Sequence, residues 1–136
     1  MRRVMVFGTF DILHPGHIDF LRQAKKLGDF LIVSLAREKF IRKIKGHRPL
    51  HSEKERKYML ECLKIVDKAV LGSRSDYIKH IVSEKPDIIA LGYDQSEFTL
   101  NLKQKLAAAG LRRVKVMRLK SYRPKIYKTN KILKRF

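Results

Sequence analysis

Short apolar runs alternate with helix-like segments along the chain. Five runs are four to six residues long and mostly rich in Val, Ile and Leu. Runs of this length and composition are typical of strands buried on both faces of a parallel sheet. We therefore predict strands at Val4–Phe7, Phe30–Leu35, Lys68–Leu71, Asp87–Leu91 and Val114–Leu119.

The first helix is predicted between the first two strands, where apolar residues recur every three or four positions. Gly28 follows them and is typical of a helix end. A second helix is predicted after Ser52, because Ser52 and Glu55 have the spacing of a capping box. Its apolar side is expected to carry Tyr58, Met59, Cys62 and Leu63.

Two more helices complete the alternation. Asp76 or Ser75 is expected to cap one that ends before Pro86, and another is expected to run from about Thr99 to Gly110. The repeated strand, helix, strand order favours right-handed crossovers. The predicted fold class is α/β, with residues 1–136 as a single domain. We expect a Rossmann-like, doubly wound, five-stranded parallel sheet with helices on both faces.

The least regular segments are residues 37–51 and 120–125. Ligands of open α/β sheets bind beyond the carboxyl ends of the strands, so both segments are expected to border one site. In this interpretation the basic segment 120–136 closes the site, and Thr129 or Asn130 caps a short final helix.

Positive charge dominates the composition. Lys and Arg number 32 against 13 Asp and Glu, which gives a formal charge of +19, and residues 98–136 hold 13 cations and no acidic side chain. This balance indicates an anionic partner, either a nucleic acid or a phosphate-rich small molecule. A single cysteine excludes an internal disulfide framework, and no apolar run reaches the roughly 18 residues of a membrane span. We expect a cytoplasmic protein that does not enter a membrane.

The segment from Gly8 to His17 has the features of an anion site. Pro15 is preorganised for a first helical turn, and Gly16 permits close approach of the backbone to a ligand. The amides of a helix start carry positive potential, and His14 and His17 lie three residues apart on it. The Walker A and dinucleotide-binding glycine patterns are absent, so phosphate binding by those loops is excluded.

The run His14-Pro15-Gly16-His17 resembles the nucleotidyltransferase superfamily whose motif is His-x-Gly-His, and the preceding Gly8-Thr9-Phe10-Asp11 is similar to its cytidylyltransferase-like branch. Later segments occur in the family's order, around Ser52–Arg56, Gly92–Asp94 and Lys125–Ile132. The last one departs from the pattern, since Tyr127-Lys128-Thr129-Asn130 replaces a run of small hydroxyl residues. The resemblance implies a nucleotidyltransferase in which an acceptor phosphate attacks the α-phosphate of a nucleoside triphosphate and pyrophosphate leaves.

The candidate residues follow from the pattern and from this resemblance. As catalytic residues we predict His14, His17, Lys43 and Arg56, with the histidines donating to the α-phosphate and the cations holding the triphosphate. As nucleotide-binding residues we predict Thr9, Phe10, His14, His17, Gly92, Asp94 and Thr129; as acceptor-binding residues Asp11, Lys45 and Tyr93.

Mg²⁺ is expected with the triphosphate, because this cation binds substrate phosphates with few protein ligands. A zinc site at His47 and His51 lacks a cysteine pair or another supporting motif, and we predict no metal ligands in the protein. The family also implies a homodimer.

The acceptor is less strongly indicated than the reaction. Lys45–Pro49 and Leu91–Gln95 look most like archaeal FAD synthases, which implies FMN as acceptor and ATP as donor. The alternative within the family is a glycerol-3-phosphate cytidylyltransferase with CTP as donor. A different class also stays open, a non-catalytic nucleic-acid-binding module in residues 98–136, where Phe98, Tyr122, Tyr127 and Phe136 lie among the cations.

Overall fold

The computed structural model describes residues 1–93, 95 and 101–120. Within them five strands form one parallel sheet. The strands are β1 (Arg3–Gly8), β2 (Phe30–Leu35), β3 (Lys68–Leu71), β4 (Ile88–Leu91) and β5 (Lys115–Arg118). The helices are α1 (Pro15–Lys25), α2 (Glu38–Lys45), α3 (Glu53–Glu61), α4 (Tyr77–Glu84) and α5 (Leu102–Ala108).

The sheet has the strand order β3-β2-β1-β4-β5, and every pairing is parallel. The predicted five-stranded, doubly wound sheet is therefore confirmed. Strands β2 and β3 follow on one side of β1, and β4 and β5 follow on the other side, so the strand order changes direction between β1 and β4. In such sheets this position opens a crevice beyond the carboxyl ends of the two central strands, where ligands bind.

Alternation along β1 divides the core between the two faces of the sheet. Val4 and Val6 pack in a cluster with residues of α1 and α3, whereas Met5 and Phe7 pack with residues of α4 and α5. All four side chains are buried because helices cover both faces of this central strand.

Gly28 follows α1 for a different reason from the one predicted. It does not have positive φ, and α1 already ends at Lys25. A Cβ at this position would lie 2.7 Å from the Arg2 carbonyl oxygen and 2.8 Å from Val4 Cγ2. Glycine is needed here because the turn after α1 packs directly against the backbone before β1.

The segment 37–51 was expected to be irregular, but residues Glu38–Lys45 form α2. Ile41 anchors this short helix with 2 % exposure, and Gly46 ends it in the left-handed conformation at φ 76°. Phe40, Ile41 and Ile44 have helical spacing, but the pattern covers only eight residues, which is short for recognising a helix from sequence. Lys43 and Lys45 consequently lie on the last turn of a helix and not in a flexible loop.

The capping box at Ser52 is confirmed, with both reciprocal hydrogen bonds present. The predicted apolar side of α3 is confirmed only in part. Leu63, just beyond the helix, packs against the core and Met59 is partly buried, but Tyr58 and Cys62 are exposed. The buried residues of the helix are Arg56 and Leu60. A charged side chain therefore occupies a core-facing position.

The last two helices agree with the predictions in most respects. Asp76 caps α4, which ends before Pro86. Helix α5 occupies Leu102–Ala108 within the predicted span, whose first residues lie outside the described part. The predicted closure of the site by residues 120–136 and the predicted final helix also lie outside it, apart from Lys120. Among the described residues, no helix has the length and apolar character to cross a membrane.

Replacing Gly28 with Ala should lower the free energy of unfolding by about 1–3 kcal/mol, because the added Cβ overlaps a backbone carbonyl that cannot swing away. Urea denaturation of both proteins measures the difference. The exposed neighbour Lys26 provides the control, since Lys26→Ala should stay within about 0.5 kcal/mol of wild type. Equal midpoints for Gly28→Ala and wild type would contradict the close-contact explanation.

Candidate active site

The turn that leaves β1 is built around the ring of Phe10. This residue has φ 50°, an uncommon backbone conformation for a large side chain, and it is 4 % exposed. A Cβ on Gly8 would lie 2.5 Å from the ring, so only glycine leaves room for it. The ring packs against His17, with centroids 5.1 Å apart, and therefore supports the imidazole from inside.

Asp11 ties this turn to the segment before α3. Its carboxylate accepts hydrogen bonds from the backbone amides of Leu50 at 2.6 Å and His51 at 2.8 Å. The His51 Nδ1 atom lies 2.7 Å from the Asp11 carbonyl oxygen. Asp11 is 9 % exposed, so in this structure its carboxylate organises the protein backbone and is not presented to solvent.

Arg56 lies on α3, bonds to the turn after β1 and to the segment before α3, and has no exposed surface. Its Nη1 donates to the carbonyl oxygens of Thr9 at 3.0 Å and Ala36 at 2.9 Å. Its Nε donates to the carbonyl oxygen of His51 at 3.2 Å. Burial lowers the pKa of Arg56, while the negative charge of Asp11 is the largest influence that raises it. The guanidinium thus connects the ends of β1 and β2 to the start of α3.

One polar atom of Arg56 has no partner among the described residues. Its Nη2 atom is buried without a hydrogen bond. A charged donor left in this state normally binds water or an anion. Because the other three hydrogen bonds all go to backbone carbonyls, Arg56 holds the floor of the site whatever occupies that remaining position.

The two motif histidines meet face to face at the start of α1. Their ring centroids are 3.8 Å apart, and the rings are inclined by 24°. His14 is the N-cap, and its Nδ1 accepts a hydrogen bond from the Gly16 amide at 3.1 Å. In neutral His14 the proton is therefore on Nε2, which makes that atom a hydrogen-bond donor.

The backbone amides at this helix start, which the sequence analysis expects to face an anion, are bonded within the protein. The amide of Gly16 donates to the His14 ring, and those of His17 and Ile18 donate to the His14 carbonyl oxygen at 2.9 and 3.3 Å. An anion arriving here meets the imidazoles and the positive end of the helix dipole before it meets any amide.

Both imidazoles are neutral at pH 7. The pKa of His17 is lowered to about 3. Burial is the largest cause, the neighbouring His14 and Lys45 also lower this pKa, and the Ile12 carbonyl acts in the opposite direction. Burial also lowers the pKa of His14. The ligand-free site therefore holds two uncharged imidazoles next to a lysine.

Cations lie along one side of this pair. Lys45 acts electrostatically on His17, so the structure brings Lys45 to the histidines. Lys43 is exposed two residues earlier on α2. Residues two positions apart on a helix point in different directions, so a position beside the histidines is shown for Lys45 alone of these two lysines. The Arg56 bond to Ala36 connects α3 to the segment between β2 and α2.

The turn after β4 forms the opposite wall. Tyr93 is 40 % exposed there, whereas Gly92 is buried and both of its backbone groups are bonded within the protein. Its amide donates to Gln95 Oε1 at 2.7 Å, and its carbonyl accepts from Arg118 Nη1 at 2.7 Å and the Gln95 amide at 3.2 Å. Gly92 therefore leaves space for a ligand without offering it a backbone hydrogen bond.

Sequence reasoning missed three residues of this arrangement. His51 completes the contact with Asp11, and Gln95 and Arg118 hold the turn after β4. Gln95 and Arg118 are 23 residues apart and belong to no recognisable motif, so only the fold brings them together. The predicted residues Asp94 and Thr129 lie outside the described part of the chain.

The described residues do not supply a metal-binding cluster of three or more His, Cys, Asp or Glu side chains. His51 is bonded to the Asp11 carbonyl, and the His47 ring to the Arg48 carbonyl. The carboxylate of Asp11 is bonded to two amides.

Replacing Arg56 with Met should lower the free energy of unfolding by about 3 kcal/mol or more, because three backbone carbonyls lose their donor. Arg56→Lys should recover part of the loss, since an ammonium keeps at least one bond. Chemical denaturation measures both. Lys54→Met removes an exposed cation from the same helix and should change stability by no more than about 0.5 kcal/mol. Similar losses for Arg56→Met and Lys54→Met would contradict this role.

Acid should destabilise the protein partly through His17. Its folded-state pKa of about 3 lies below the ordinary 6.5, so the unfolded chain binds the extra proton between these values. Stability from this group is complete above pH 6.5 and falls by up to about 1.4 kcal/mol per pH unit as pH decreases. Denaturation of wild type and His17→Gln from pH 7 to pH 4 should show a shallower slope for the variant. Parallel profiles would contradict a neutral, buried His17.

Comparison with known proteins agrees with this geometry. The Cytidylyltransferase-like family model matches residues 5–135. The chain is 48 % identical over 136 residues to an FAD synthase of Archaeoglobus profundus, covering 99 % of this chain and 86 % of that protein. It is 48 % identical to an FAD synthase of Aciduliprofundum boonei over 122 residues, covering 90 % and 80 % of the two proteins.

Solved structures show the same architecture. A crystal structure described as the lipopolysaccharide core biosynthesis protein from Thermoplasma volcanium superposes with a TM-score of 0.84 at 44 % identity, covering 90 % of this chain and 98 % of that one. A pantoate-beta-alanine ligase from Francisella tularensis, 16 % identical, superposes with a TM-score of 0.64 over 99 % of this chain and 65 % of that one, which is a likeness of fold alone. With its motif, its sheet and a family match over nearly its whole length, this chain belongs to the cytidylyltransferase-like family.

Proposed function

We propose that this protein is a nucleotidyltransferase that transfers AMP from ATP to the phosphate of FMN, giving FAD and pyrophosphate. The stacked pair of neutral histidines beside Lys45, at the carboxyl end of β1, is the observation that carries the reaction type. The acceptor and donor are supported by relatives named FAD synthase, which are 41–48 % identical over most of their length.

The chemistry needs no protein nucleophile. An oxygen of the FMN phosphate attacks the α-phosphorus of ATP, a new P–O bond forms, and the bond to the β-phosphate oxygen breaks. The electron pair of that bond leaves with pyrophosphate. Catalysis of such a step consists of positioning the two phosphates and stabilising charge on their oxygens.

His14 and His17 are proposed to stabilise the α-phosphate. Neutral His14 carries its proton on Nε2, which makes that atom a hydrogen-bond donor, since Nδ1 accepts from Gly16. A bound polyphosphate favours the charged imidazolium, so the low pKa of His17 is expected to rise when the nucleotide arrives. The packing of His17 on Phe10 fixes the ring in position before the substrate binds.

Lys43 and Lys45 are proposed to attract the triphosphate and the acceptor phosphate. Both are on the last turn of α2, and Lys45 acts electrostatically on His17. Arg56 and Asp11 are assigned positioning roles, because Arg56 is fully buried and the Asp11 carboxylate is bonded to two backbone amides. Direct triphosphate contact by Arg56 would have to use its unpartnered Nη2.

The remaining candidate residues keep the roles predicted from the sequence. Thr9 and Phe10 form the turn under the phosphates, and exposed Tyr93 is placed to stack on a flat ring. Nucleotide contacts by Asp94 and Thr129 stay predictions. The same holds for Mg²⁺ bound through the triphosphate, for a homodimer, and for a cytoplasmic location.

The two alternatives make different demands on the same site. A glycerol-3-phosphate cytidylyltransferase would use CTP and a small, non-aromatic acceptor, for which Tyr93 would serve no purpose. A nucleic-acid-binding module would use the basic side chains of residues 98–136 and would need no histidine pair. Neither alternative has the support of the named relatives.

A pyrophosphate-release assay separates these possibilities. ATP and CTP are each combined with FMN, glycerol 3-phosphate and phosphopantetheine in the presence of Mg²⁺. We expect release only with ATP and FMN, together with FAD detected by chromatography. Release with CTP and glycerol 3-phosphate would favour the first alternative. Salt-sensitive retention of RNA or duplex DNA without release from any pair would favour the second.

Replacing His17 with Ala should lower kcat at least about 100-fold, because a donor to the reacting phosphate is lost. His47→Ala is the matched control, since His47 is exposed and its Nδ1 lies 2.9 Å from the carbonyl oxygen of the neighbouring Arg48. The His47→Ala variant should turn over within about twofold of wild type. Equal rates for the two variants would contradict the assignment of His17.

A further inference from the structure

The turn Gly92–Gln95 is held by side chains that neither the motif nor the comparisons assign to the site. Gln95 donates from Nε2 to the Phe7 carbonyl oxygen at 2.7 Å and accepts from the Gly92 amide through Oε1 at 2.7 Å. One side-chain amide therefore links the end of β1 to the turn after β4.

Arg118 holds the turn from the other side. It is the last residue of β5, and its Nη1 donates to the carbonyl oxygens of Gly92 at 2.7 Å and Gln95 at 2.8 Å. Among the described residues of the turn, the Gln95 amide also donates to the Gly92 carbonyl oxygen at 3.2 Å. The two side chains thus bond both backbone groups of Gly92 and the carbonyl of Gln95.

The position of this linkage gives it a functional meaning. The Phe7–Gln95 bond crosses from β1 to the turn after β4, and these are the strands between which the sheet order reverses. Ligands of such sheets lie across that position. His14 and His17 follow β1 and are proposed to bind the phosphates, which places the nucleoside of a ligand lying across this position toward the turn after β4.

We infer that Gln95 and Arg118 are positioning residues that hold the Gly92–Gln95 turn in the shape that receives the base and ribose of the donor nucleotide. This inference rests on the proposed function. Both backbone groups of Gly92 are already bonded within the protein, so Gly92 contributes through the shape of the turn, and that shape depends on the two holding residues.

Arg118→Met tests the inference because it keeps the length of the side chain and removes the donor. The KM for ATP should rise about tenfold at saturating FMN, with kcat changed by less than about threefold, since the reacting phosphates are bound elsewhere. Arg118→Lys should recover part of the lost affinity. Gln95→Met should have a similar effect, and the double variant should lose less than the product of the single losses because both act on one turn.

Arg113→Met is the matched control. Arg113 precedes β5, is exposed, and loses the same charge without a contact to the turn among the described residues. Its KM for ATP should stay within about twofold of wild type. Equal increases in KM for Arg113→Met and Arg118→Met would overturn the inference, because they would indicate a general effect of charge. A fall in kcat with unchanged KM in Arg118→Met would overturn it as well.

Amide hydrogen exchange of the ligand-free protein gives a readout that does not require turnover. Exchange at Gly92 and Gln95 should accelerate in Arg118→Met and remain unchanged in Arg113→Met. Unchanged exchange in Arg118→Met would overturn the inference. Should wild type fail to make FAD, the proposed function fails, and calorimetric ATP binding then decides separately whether Arg118→Met weakens the nucleotide site.

Discussion

Arg56 places a positive charge without solvent exposure between the ends of β1 and β2, and the site is arranged around it. Its three hydrogen bonds go to backbone carbonyls of three separate segments, so the turn after β1 and the start of α3 have fixed relative positions. Asp11 is linked to two amides of the same region and is the largest influence that raises the pKa of Arg56. A buried arginine is costly to desolvate, and this one is retained where several chain segments must meet.

The turn after β1, which Arg56 holds in place, affects the charge state of His17. This turn presents the Phe10 ring to His17, burial lowers the pKa of His17 to about 3, and Lys45 acts electrostatically on the same imidazole. Neutral imidazoles beside a lysine are suited to bind phosphates. The formal charge of +19 gives the protein as a whole a positive field that attracts anions.

Local patterns predicted the elements whose burial is regular. All five strands were correct. The central strands β1, β2 and β4 are buried and form continuous apolar runs, and the edge strands β3 and β5 keep short apolar runs although they are partly exposed. The Ser52 capping box was correct because its bonds are local. Helix α2 was missed although Phe40, Ile41 and Ile44 have helical spacing, because the pattern covers only eight residues. The inner side of α3 was predicted only in part because a buried arginine looks like a surface residue, and its carbonyl partners come from distant segments.

By itself the sequence determined the fold class, the family motif and the pair of motif histidines, since each depends on residues that are close together in the chain. Tertiary structure decided what the other candidates do. It bonded the helix-start amides to His14, placed the Asp11 carboxylate on Leu50 and His51, and brought Arg118 to a turn 23 residues before it in the chain. Hydrogen bonds of this kind satisfy buried backbone groups wherever the fold creates them, and the partner is chosen by proximity in space. No spacing along the chain records that choice.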